Sequence, residues 1–391
     1  MQISSIATEL AGDAAIRDIC QQLEQQPAAS LLLVAFNIEI DAAALQQALI
    51  QQQSCPILAG SSCLGGMAIA AQHCLSHASI SVLAIHDPQG RYGVGSDRST
   101  NGAQQAAEAA LEQALDNSGS NAESPALLWC MLHPGEEEAA LQGFADVVGP
   151  QVPVIGGSSA DNDVSGQWLQ FTRDRLGQDL FACAVISPST PLGVSFSSGY
   201  EPSGETLTAT HCEQRLIHQL DQQSAAQRYN QLTAGAIEDA LEGGNVLAKT
   251  TLHPLGRRIP NPSGVDDYLL SHPDAVTDDG GLSLFSVVDS GEQLHLMRGS
   301  SRSLIQRAAR VLENAQQLLP EGYRPAGAIM VYCAGCMLTI NDDIEQMVNH
   351  TAVAAQGTPL CGFYTFGEQG CFLDGTNRHG NLMISAVVFS Q

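Results

Sequence analysis

Continuous runs of apolar residues recur three times along the chain, and each is followed by a proline-led apolar segment. The three pairs are Leu31–Phe36 with Pro56–Gly60, Ala126–Met131 with Pro153–Gly157, and Ala328–Cys333 with Pro359–Phe363. An unbroken apolar run of this length is typical of a strand that is buried on both faces. The prolines follow the run starts by 25, 27 and 31 residues, about the length of a strand–helix–strand unit. The pattern predicts an α/β fold with a repeated strand–helix–strand unit, and chance recurrence is the alternative.

The stretches between these runs predict further elements. Small and apolar residues at helical spacing predict helices over residues 101–117, 227–241 and 301–319. Shorter apolar runs predict strands at 80–85, 180–186 and 281–288. The three glutamates at 136–138 are typical of an acidic first helical turn. A polar, glutamine-rich segment near 212–230 indicates a domain boundary.

Composition and charge narrow the range of partners. The chain has 391 residues, of which 44% are hydrophobic and 15% charged, which is a globular composition. With 41 acidic and 16 basic residues, its net charge is −25. Such a chain repels nucleic-acid phosphates and anionic membrane surfaces, so no nucleic-acid partner is expected.

The ends and the cysteines point to a compartment. No apolar stretch is long enough to span a bilayer, so no membrane insertion is expected. The first residues lack the basic segment of a secretory signal, so we expect a cytoplasmic protein. In that compartment the eleven cysteines are expected to be thiols, metal ligands or redox groups rather than a disulfide framework.

Glycine-rich turns follow each of the three proline-led segments. They span 60–66, 156–162 and 362–370, where the carboxyl ends of strands commonly build a binding crevice. Tight turns between packed elements are the alternative interpretation. If the turns share a pocket, Gly60, Gly157 and Gly362 should lie at one end of the strands. The predicted ligand-binding residues are Gly60, Ser61, Ser62, Gly157, Ser158, Asp161, Gly362, Tyr364 and Glu368.

A cysteine cluster near the C-terminus offers another chemistry. Cys333 and Cys336 form a CxxC pair, and Cys361 and Cys371 follow. Four thiols of this kind suit zinc, an iron–sulfur cluster or a redox pair. Cys361 is embedded in an apolar run, where cysteine is often a small buried hydrophobe. Metal binding, redox activity and simple burial therefore stay open.

Together, these features resemble the FIST family of prokaryotic sensory domains over about residues 31–389. Residues 60–66 and 153–161 are similar to two glycine turns of the family's N-terminal part. Residues 362–368 match its Gly-Phe-Tyr-x-x-Gly-Glu signature, which is the most specific motif in the chain. The resemblance implies two packed FIST subdomains, over 27–225 and 226–389, and a sensory rather than enzymatic role. It also implies a small-molecule ligand and signal transduction through partners such as histidine kinases.

The stand-alone length resembles the family's nitric-oxide-sensing subfamily, which implies a haem b cofactor and a partner sensor histidine kinase. The candidate haem ligands are His272, His253 and His350, in that order. His272 stands where the family tends to have arginine, which weakens the case for an anionic amino-acid ligand. The leading hypothesis is a haem-based nitric oxide sensor. A sensor of an amino acid or similar organic ligand and a metal or redox sensor are the alternatives, and a homo-oligomer is left open.

Overall fold

The structure is a computed structural model that describes residues 1–120, 123–261 and 264–391. The chain folds as three copies of one unit, and the third copy carries a large insertion. The first copy contains β1 (Gln2–Thr8), α1 (Gly12–Glu24), β2 (Leu31–Phe36), α2 (Ala42–Gln52), β3 (Ile57–Ser61), β4 (Gly66–Ala70), β5 (His73–Ala78) and β6 (Ile80–His86).

The second copy repeats this order of elements. It contains β7 (Arg91–Arg98), a 3₁₀ turn (Ser99–Asn101), α3 (Ala103–Ser118), β8 (Leu127–Leu132), α4 (Glu137–Val148), β9 (Val154–Ser158), β10 (Gln170–Thr172), β11 (Leu176–Gly177) and β12 (Leu180–Ser187). The helix predicted at 101–117 and the strand at 180–186 are both confirmed. The strand predicted at 80–85 is confirmed as β6.

The third copy begins with β13 (Leu192–Ser198), after which the chain makes an insertion that we call the insert. The insert contains β14 (Glu201–Glu213), β15 (Leu216–Leu220), β16 (Gln223–Ser224), α5 (Ala225–Leu232), a 3₁₀ turn (Glu238–Ala240), β17 (Gly244–Asn245), α6 (Leu247–Thr250), β18 (Leu255–Ile259), β19 (Asp267–Ser271), β20 (Pro273–Val276), β21 (Leu282–Leu284) and β22 (Gln293–Arg298). These strands form one antiparallel sheet in the order β17-β20-β21-β15-β14-β22-β18-β19, with β16 on β15.

The third copy then resumes. It contains α7 (Ser301–Gln317), β23 (Pro325–Cys333), α8 (Ala334–Thr339), a 3₁₀ turn (Asn341–Asp343), α9 (Ile344–Ala355), β24 (Leu360–Thr365), β25 (Gly367–Cys371), β26 (Asn377–Gly380) and β27 (Met383–Ser390). The predicted helix at 301–319 is confirmed as α7. Its capping box joins Ser300 and Ser303.

Two predictions within the insert are wrong in extent. The helix predicted over 227–241 ends at Leu232, because Ala234 and Gly235 adopt left-handed backbone conformations (φ +55° and +89°). Gly235 accepts that conformation without a side-chain clash, so the chain turns there. The strand predicted over 281–288 is only Leu282–Leu284, and the residues after it run as irregular backbone.

The predicted repeat is confirmed by three parallel strand pairs. β2 pairs with β3, β8 with β9, and β23 with β24, each across an intervening helix. Every copy builds one six-stranded sheet. The copies also exchange hairpins in a cycle, since β4–β5 extends the third sheet, β10–β11 the first and β25–β26 the second. Hydrogen bonds therefore tie each copy to both others.

The apolar runs are continuous because each sheet is covered on both faces. Leu33, Trp129 and Val331 point inward from the three sheets and pack in one central core, fully buried. On the outer faces, Val34 and Cys130 pack in separate clusters beneath the helices of their own copies. No helix in the described ranges is both long and apolar enough to cross a membrane.

Candidate functional site

The three glycine turns meet in a ring, which we call the glycine-turn ring. At equivalent positions of the three copies, the backbone N–H of Cys63 donates to Tyr364 O (3.1 Å), that of Ala160 to Ser61 O (2.9 Å) and that of Phe366 to Ser158 O (3.1 Å). Each turn thus donates to one neighbour and accepts from the other. The prediction that the three turns lie together at one end of the strands is confirmed as to their position, and ligand binding by them stays a prediction.

The side chains of the ring are occupied by the protein itself. The Ser61 hydroxyl accepts from Leu169 N (2.9 Å), and the Ser62 hydroxyl donates to Gly65 O (2.7 Å) while accepting from Tyr364 N (2.8 Å). The side chains of Ser61, Ser62 and Tyr364 are fully buried. Glycine is required where the turns touch, since a Cβ on Gly157 would lie 2.4 Å from Thr365 Cγ2, and one on Gly60 2.8 Å from Ser159 Oγ.

The two predicted carboxylates also serve the frame. Asp161 accepts from the backbone N–H groups of Val164 (2.6 Å) and Gln167 (2.7 Å), which fixes the loop after β9. Glu368 accepts from Thr365 Oγ1 (2.8 Å) and Met383 N (3.0 Å). Burial, followed by the nearby Cys333 thiol, raises the pKa of Glu368 well above its ordinary value.

A cavity of about 390 Å³ lies beside the ring, and we call it the aromatic cavity. None of the nine predicted ligand-binding residues lines it. Its walls come from the turn after β8, the loop held by Asp161, the insert and the start of α8. The lining residues are Pro134, Gly135, Glu137, Val164, Ser165, Gly166, Trp168, Arg215, Leu247, His272, Phe285, Cys333, Gly335, Leu338, Phe366 and Asn381.

The charged end of the cavity is a three-residue ion-pair cluster. Arg215 Nη2 contacts Glu137 Oε2 at 2.7 Å and Glu138 Oε2 at 2.5 Å. The Glu137 side chain is only 4% exposed, and Ser158 Oγ donates to its other oxygen at 2.6 Å. The predicted acidic helix start is therefore correct, but its second residue is buried against an arginine from the insert.

The electrostatics of this cluster favour the charged forms. Burial alone would raise the pKa of Glu137, but the charges of His379 and Arg215 and the hydrogen bonds of Ser158 and Arg215 outweigh it and hold the pKa at about 2. Burial opposes the charge on Arg215 as well, yet Glu137 and Glu138 raise its pKa. Glu137, Glu138 and Arg215 by themselves carry a net charge of −1, and a protonated His379, whose Nε2 lies 3.8 Å from Glu137 Oε2, brings the total to zero.

His272 lies in the cavity wall as a neutral imidazole. Burial lowers its pKa to about 4, and its Nε2 lies 3.1 Å from Leu247 O and 3.4 Å from Thr251 Oγ1. A neutral ring donates from Nε2 to the Leu247 carbonyl. The adjacent Asn381 accepts from His272 N through Oδ1 (3.3 Å), whereas its buried Nδ2 has no hydrogen-bond partner among the described residues.

The other two candidate haem ligands lie away from this cavity. His253 is half-buried before β18, and His350 is exposed on α9. Neither lines the aromatic cavity. Of the three candidate haem ligands, His272 is the one that lines this cavity, so haem binding is tested at His272.

The structure does not bring the four predicted cysteines together. Cys333 and Cys336 are neighbours at the start of α8, packed on the outer side of β23. Cys361 belongs to the central core on the other face of the sheet, where its Sγ lies 3.2 Å from Ser5 Oγ. Cys371 is at the end of β25. One ion cannot contact all four thiols, since the sheet separates them, and this corrects the four-cysteine prediction.

The cavity thiol is not activated. Cys333 is 4% exposed, and burial, with Cys336 beside it, raises its pKa well above the ordinary value. A thiol of raised pKa is a poor nucleophile and a poor metal ligand near neutral pH. A redox role for the Cys333–Cys336 pair stays a prediction.

Within the described ranges, one group of three potential metal-binding side chains converges. Ligand atoms of Glu137, Glu138 and His379 lie within 4.8 Å of one another. The guanidinium of Arg215 already occupies the space between the two carboxylates and supplies their counter-charge. This group is therefore satisfied by the protein's own cation.

Sequence reasoning missed Arg215, Trp168, Phe285 and Asn381. Arg215 lies in the turn between β14 and β15 and Phe285 follows β21, so both reach the cavity only through the folding of the insert. No local pattern marks them. The one available signal was the run of three glutamates beside a predicted strand end, which could have indicated a need for a basic partner.

The family comparisons agree with this architecture. Residues 30–223 match the FIST N domain and residues 225–371 match the FIST C domain. The chain belongs to the FIST family, whose domains are sensory ligand-binding domains of signal transduction. The nitric-oxide-sensing subfamily and the exact boundary at 225/226 stay predictions.

Other comparisons are more distant. A Methanocaldococcus jannaschii protein named "Uncharacterized protein MJ1623" is 28% identical over 90 residues, which are 22% of this chain and 18% of that protein. A cyanuric acid hydrolase structure aligns over 99% of both chains with 7% identity and a TM-score of 0.33. A chain of PurLQS from Thermotoga maritima aligns over 76% of this chain and 72% of its own, with 9% identity and a TM-score of 0.23.

Proposed function

We propose that the protein is a signal-transduction sensor that binds a small zwitterionic organic ligand, of the amino-acid class, in the aromatic cavity. The proposal rests on one observation: the same cavity with aromatic walls is lined by Arg215 and by Asn381, whose buried Nδ2 has no hydrogen-bond partner among the described residues. Among the described residues, Nε and Nη1 of Arg215 make no hydrogen bond, so their N–H groups can donate to a ligand carboxylate.

The charge balance favours a zwitterion over a simple anion. Arg215 attracts a carboxylate, while the carboxylates of Glu137 and Glu138 beside it attract a ligand ammonium group, so both charged ends of a zwitterion find a partner here. Trp168, Phe285 and Leu338 supply an apolar surface for a side chain. A volume of about 390 Å³ falls in the range of small-molecule sites. Although the family's usual arginine is replaced by His272, Arg215 provides a guanidinium in the same cavity.

Haem fits these residues less well. A histidine ligand to iron needs a free ring nitrogen that faces the porphyrin, with the other nitrogen held by an acceptor. Because Nε2 of His272 hydrogen bonds to Leu247 O, only Nδ1 is left to bind iron. Nδ1 is the ring nitrogen nearer to the residue's own backbone, which limits how closely a porphyrin can approach it. The nearest cavity walls also carry a buried ion pair. Haem, a histidine-kinase partner and nitric oxide sensing stay hypotheses from the resemblance.

Calorimetric titration of the purified protein with the twenty amino acids tests the proposal. We expect at least one to bind, and Arg215→Met to weaken that binding at least about tenfold, because a charge-assisted pair contributes about 1.5–3 kcal/mol. Asn381→Asp keeps the acceptor Oδ1 and replaces the donor by a carboxylate, so it should weaken binding while the fold is retained. Arg17→Met, on the exposed face of α1, is the control.

Two results would contradict the proposal. One is the absence of heat with every amino acid, and the other is unchanged affinity in both cavity variants. Haem titration of the same preparations separates the alternatives. A Soret band that is lost in His272→Ala would favour the haem hypothesis instead.

A further inference from the structure

We propose that a second cavity, between the insert and the second copy, binds a phosphorylated small molecule of nucleotide size, with its phosphate at Arg257 and Arg378. This arginine cleft has a volume of about 660 Å³. It is bounded by β18 and β22 of the insert, by α4, and by β26. The proposal is independent of what occupies the aromatic cavity.

Arg257 is a buried cation that hydrogen bonds only to neutral atoms. Its Nη1 donates to Val287 O (2.9 Å), and its Nη2 to Ser271 Oγ (2.8 Å) and Ser286 Oγ (3.3 Å). Its nearest carboxylate, Glu292, is 4.0 Å away. Nε is buried and has no partner within the described ranges. The guanidinium is therefore held in place without a directly bonded counter-ion.

Arg378 brings a second guanidinium to the same cleft. Its terminal nitrogens contact Asp374 at 2.8 and 3.0 Å, and its guanidinium carbon lies 5.3 Å from the centre of the Phe372 ring. Burial is the main cause that lowers the pKa of Arg257; the charges of Glu292, Glu138 and Asp289 raise it, and the charge of Arg378 lowers it by less. Two cations that line one cleft repel each other, and an anion bound between them would relieve that repulsion.

The carboxylates that line the cleft do not already fill this role. Glu138 is taken by Arg215 and by Val287 N (2.8 Å), on the side of the aromatic cavity. Glu292 stays at 4.0 Å from Arg257 and accepts from Asp289 N. The site thus has one bonded aspartate for two guanidinium groups. In a chain of net charge −25, a buried arginine without a directly bonded carboxylate stands out.

The chemistry and shape of the cleft favour a phosphate ester. Two planar guanidinium groups match the several oxygens and double charge of a phosphate better than a single carboxylate. Leu141, Ile259 and Leu269 line the same cleft and offer an apolar surface. The volume is well above that of the aromatic cavity, so it accommodates an organic body attached to the phosphate.

The probe is 5′-AMP, measured by calorimetry on the full chain beside inorganic phosphate and adenosine. We expect 5′-AMP to bind, phosphate to bind more weakly, and adenosine to give no measurable binding. Arg378→Gln should weaken 5′-AMP binding at least about tenfold. Glu292→Gln removes the nearest negative charge and should strengthen binding about threefold. Arg17→Gln, on remote α1, should change nothing.

The two cleft variants are expected to change the affinity for 5′-AMP in opposite directions. Misfolding cannot explain both results, because a damaged protein would not bind more tightly. The proposal is overturned if neither 5′-AMP nor phosphate binds the wild-type protein. It is also overturned if 5′-AMP binds equally well to wild type and Arg378→Gln. Adenosine binding as tight as that of 5′-AMP would likewise reject the phosphate site, since the phosphate would then contribute nothing.

Discussion

The glycine-turn ring and the aromatic cavity lie side by side but are built in different ways. The ring is made from equivalent positions of three copies, and its hydrogen bonds run between backbone atoms. The cavity is asymmetric, with Arg215 and Phe285 from the insert facing Trp168 from the second copy and Gly335 from the third. The ring carries the recognisable motifs, whereas the cavity carries the open polar groups.

The difference teaches that a family signature can mark a framework rather than a binding surface. Of residues 362–368 only Phe366 lines the aromatic cavity, whereas the two glycines pack where a Cβ would lie 2.7 Å from Met67 Cε (Gly362) and 2.5 Å from His379 Cε1 (Gly367). If the aromatic cavity holds the proposed ligand, its wall side chains can vary with the chemistry of that ligand. A stability change should therefore dominate when the ring is altered, and a binding change when the cavity is altered.

The largest effect is expected from Gly156→Ala, close to the ring. A Cβ at this position would lie 2.0 Å from the Cys130 backbone carbonyl oxygen, which belongs to the paired strand β8 and cannot move aside. We expect a loss of more than about 3 kcal/mol in the free energy of unfolding. Urea denaturation followed by circular dichroism measures it. A loss below about 1 kcal/mol would show that the strands are not locked as described.

The strands and the glycine turns could be predicted from the sequence, whereas the residues of the aromatic cavity could not, and the reason is physical. The runs at Leu31–Phe36, Ala126–Met131 and Ala328–Cys333 predicted the sheet strands, because burial on both faces leaves a local, continuous signal. The observed strands are Leu31–Phe36, Leu127–Leu132 and Pro325–Cys333. The glycine turns were local as well. Arg215 contacts Glu137 across 78 residues, and such a pair depends on how the insert folds back. His272 was chosen for a sequence departure, and its place in the cavity wall could not be deduced from its neighbours.

The next effect concerns the charged end of the cavity. Glu137 has a pKa of about 2 against an ordinary 4.5, so its ionised form stabilises the fold fully above pH 4.5 and loses that contribution as the pH falls toward 2. Glu137→Gln should cost roughly 2 kcal/mol at pH 7. The difference from wild type should shrink between pH 4.5 and 2.

Urea midpoints measured across this pH range test the prediction. Glu39→Gln, on an exposed residue between β2 and α2, serves as the control and should follow wild type throughout. A Glu137→Gln deficit that stays constant from pH 7 to pH 3 would mean that the buried charge does not contribute.

The pH dependence of the contribution of Glu368, in the glycine-turn ring, to stability should be opposite in sign to that of Glu137. Its pKa is raised mainly by burial, so the folded protein binds this proton more tightly than the unfolded chain does, and the ionised carboxylate opposes folding as the pH rises above the unfolded pKa. That contribution favours folding fully below the unfolded pKa and is lost as the pH rises above it. Glu368→Gln keeps one acceptor for Met383 N and carries no such cost. We expect a gain of about 1 kcal/mol at pH 7 and none at pH 4, read from melting temperatures. A variant that is less stable at both pH values would refute this account of Glu368.

The smallest change in stability, with a clear change in binding, is expected from Gly335→Ala. A Cβ here would lie 3.7 Å from His272 Cε1 and 3.6 Å from Cys333 Sγ, which are ordinary contact distances, and 3.3 Å from the flexible end of Leu382. Because Gly335 lies within α8, alanine should stabilise that helix by up to about 1 kcal/mol. The added methyl group also narrows the aromatic cavity, so affinity for a bound amino acid should fall about five- to tenfold. Val353→Ala, on the exposed face of α9, is the control. The variant is expected to lower affinity without destabilising the fold. If calorimetric affinity and stability are both unchanged, the ligand binds somewhere other than the aromatic cavity.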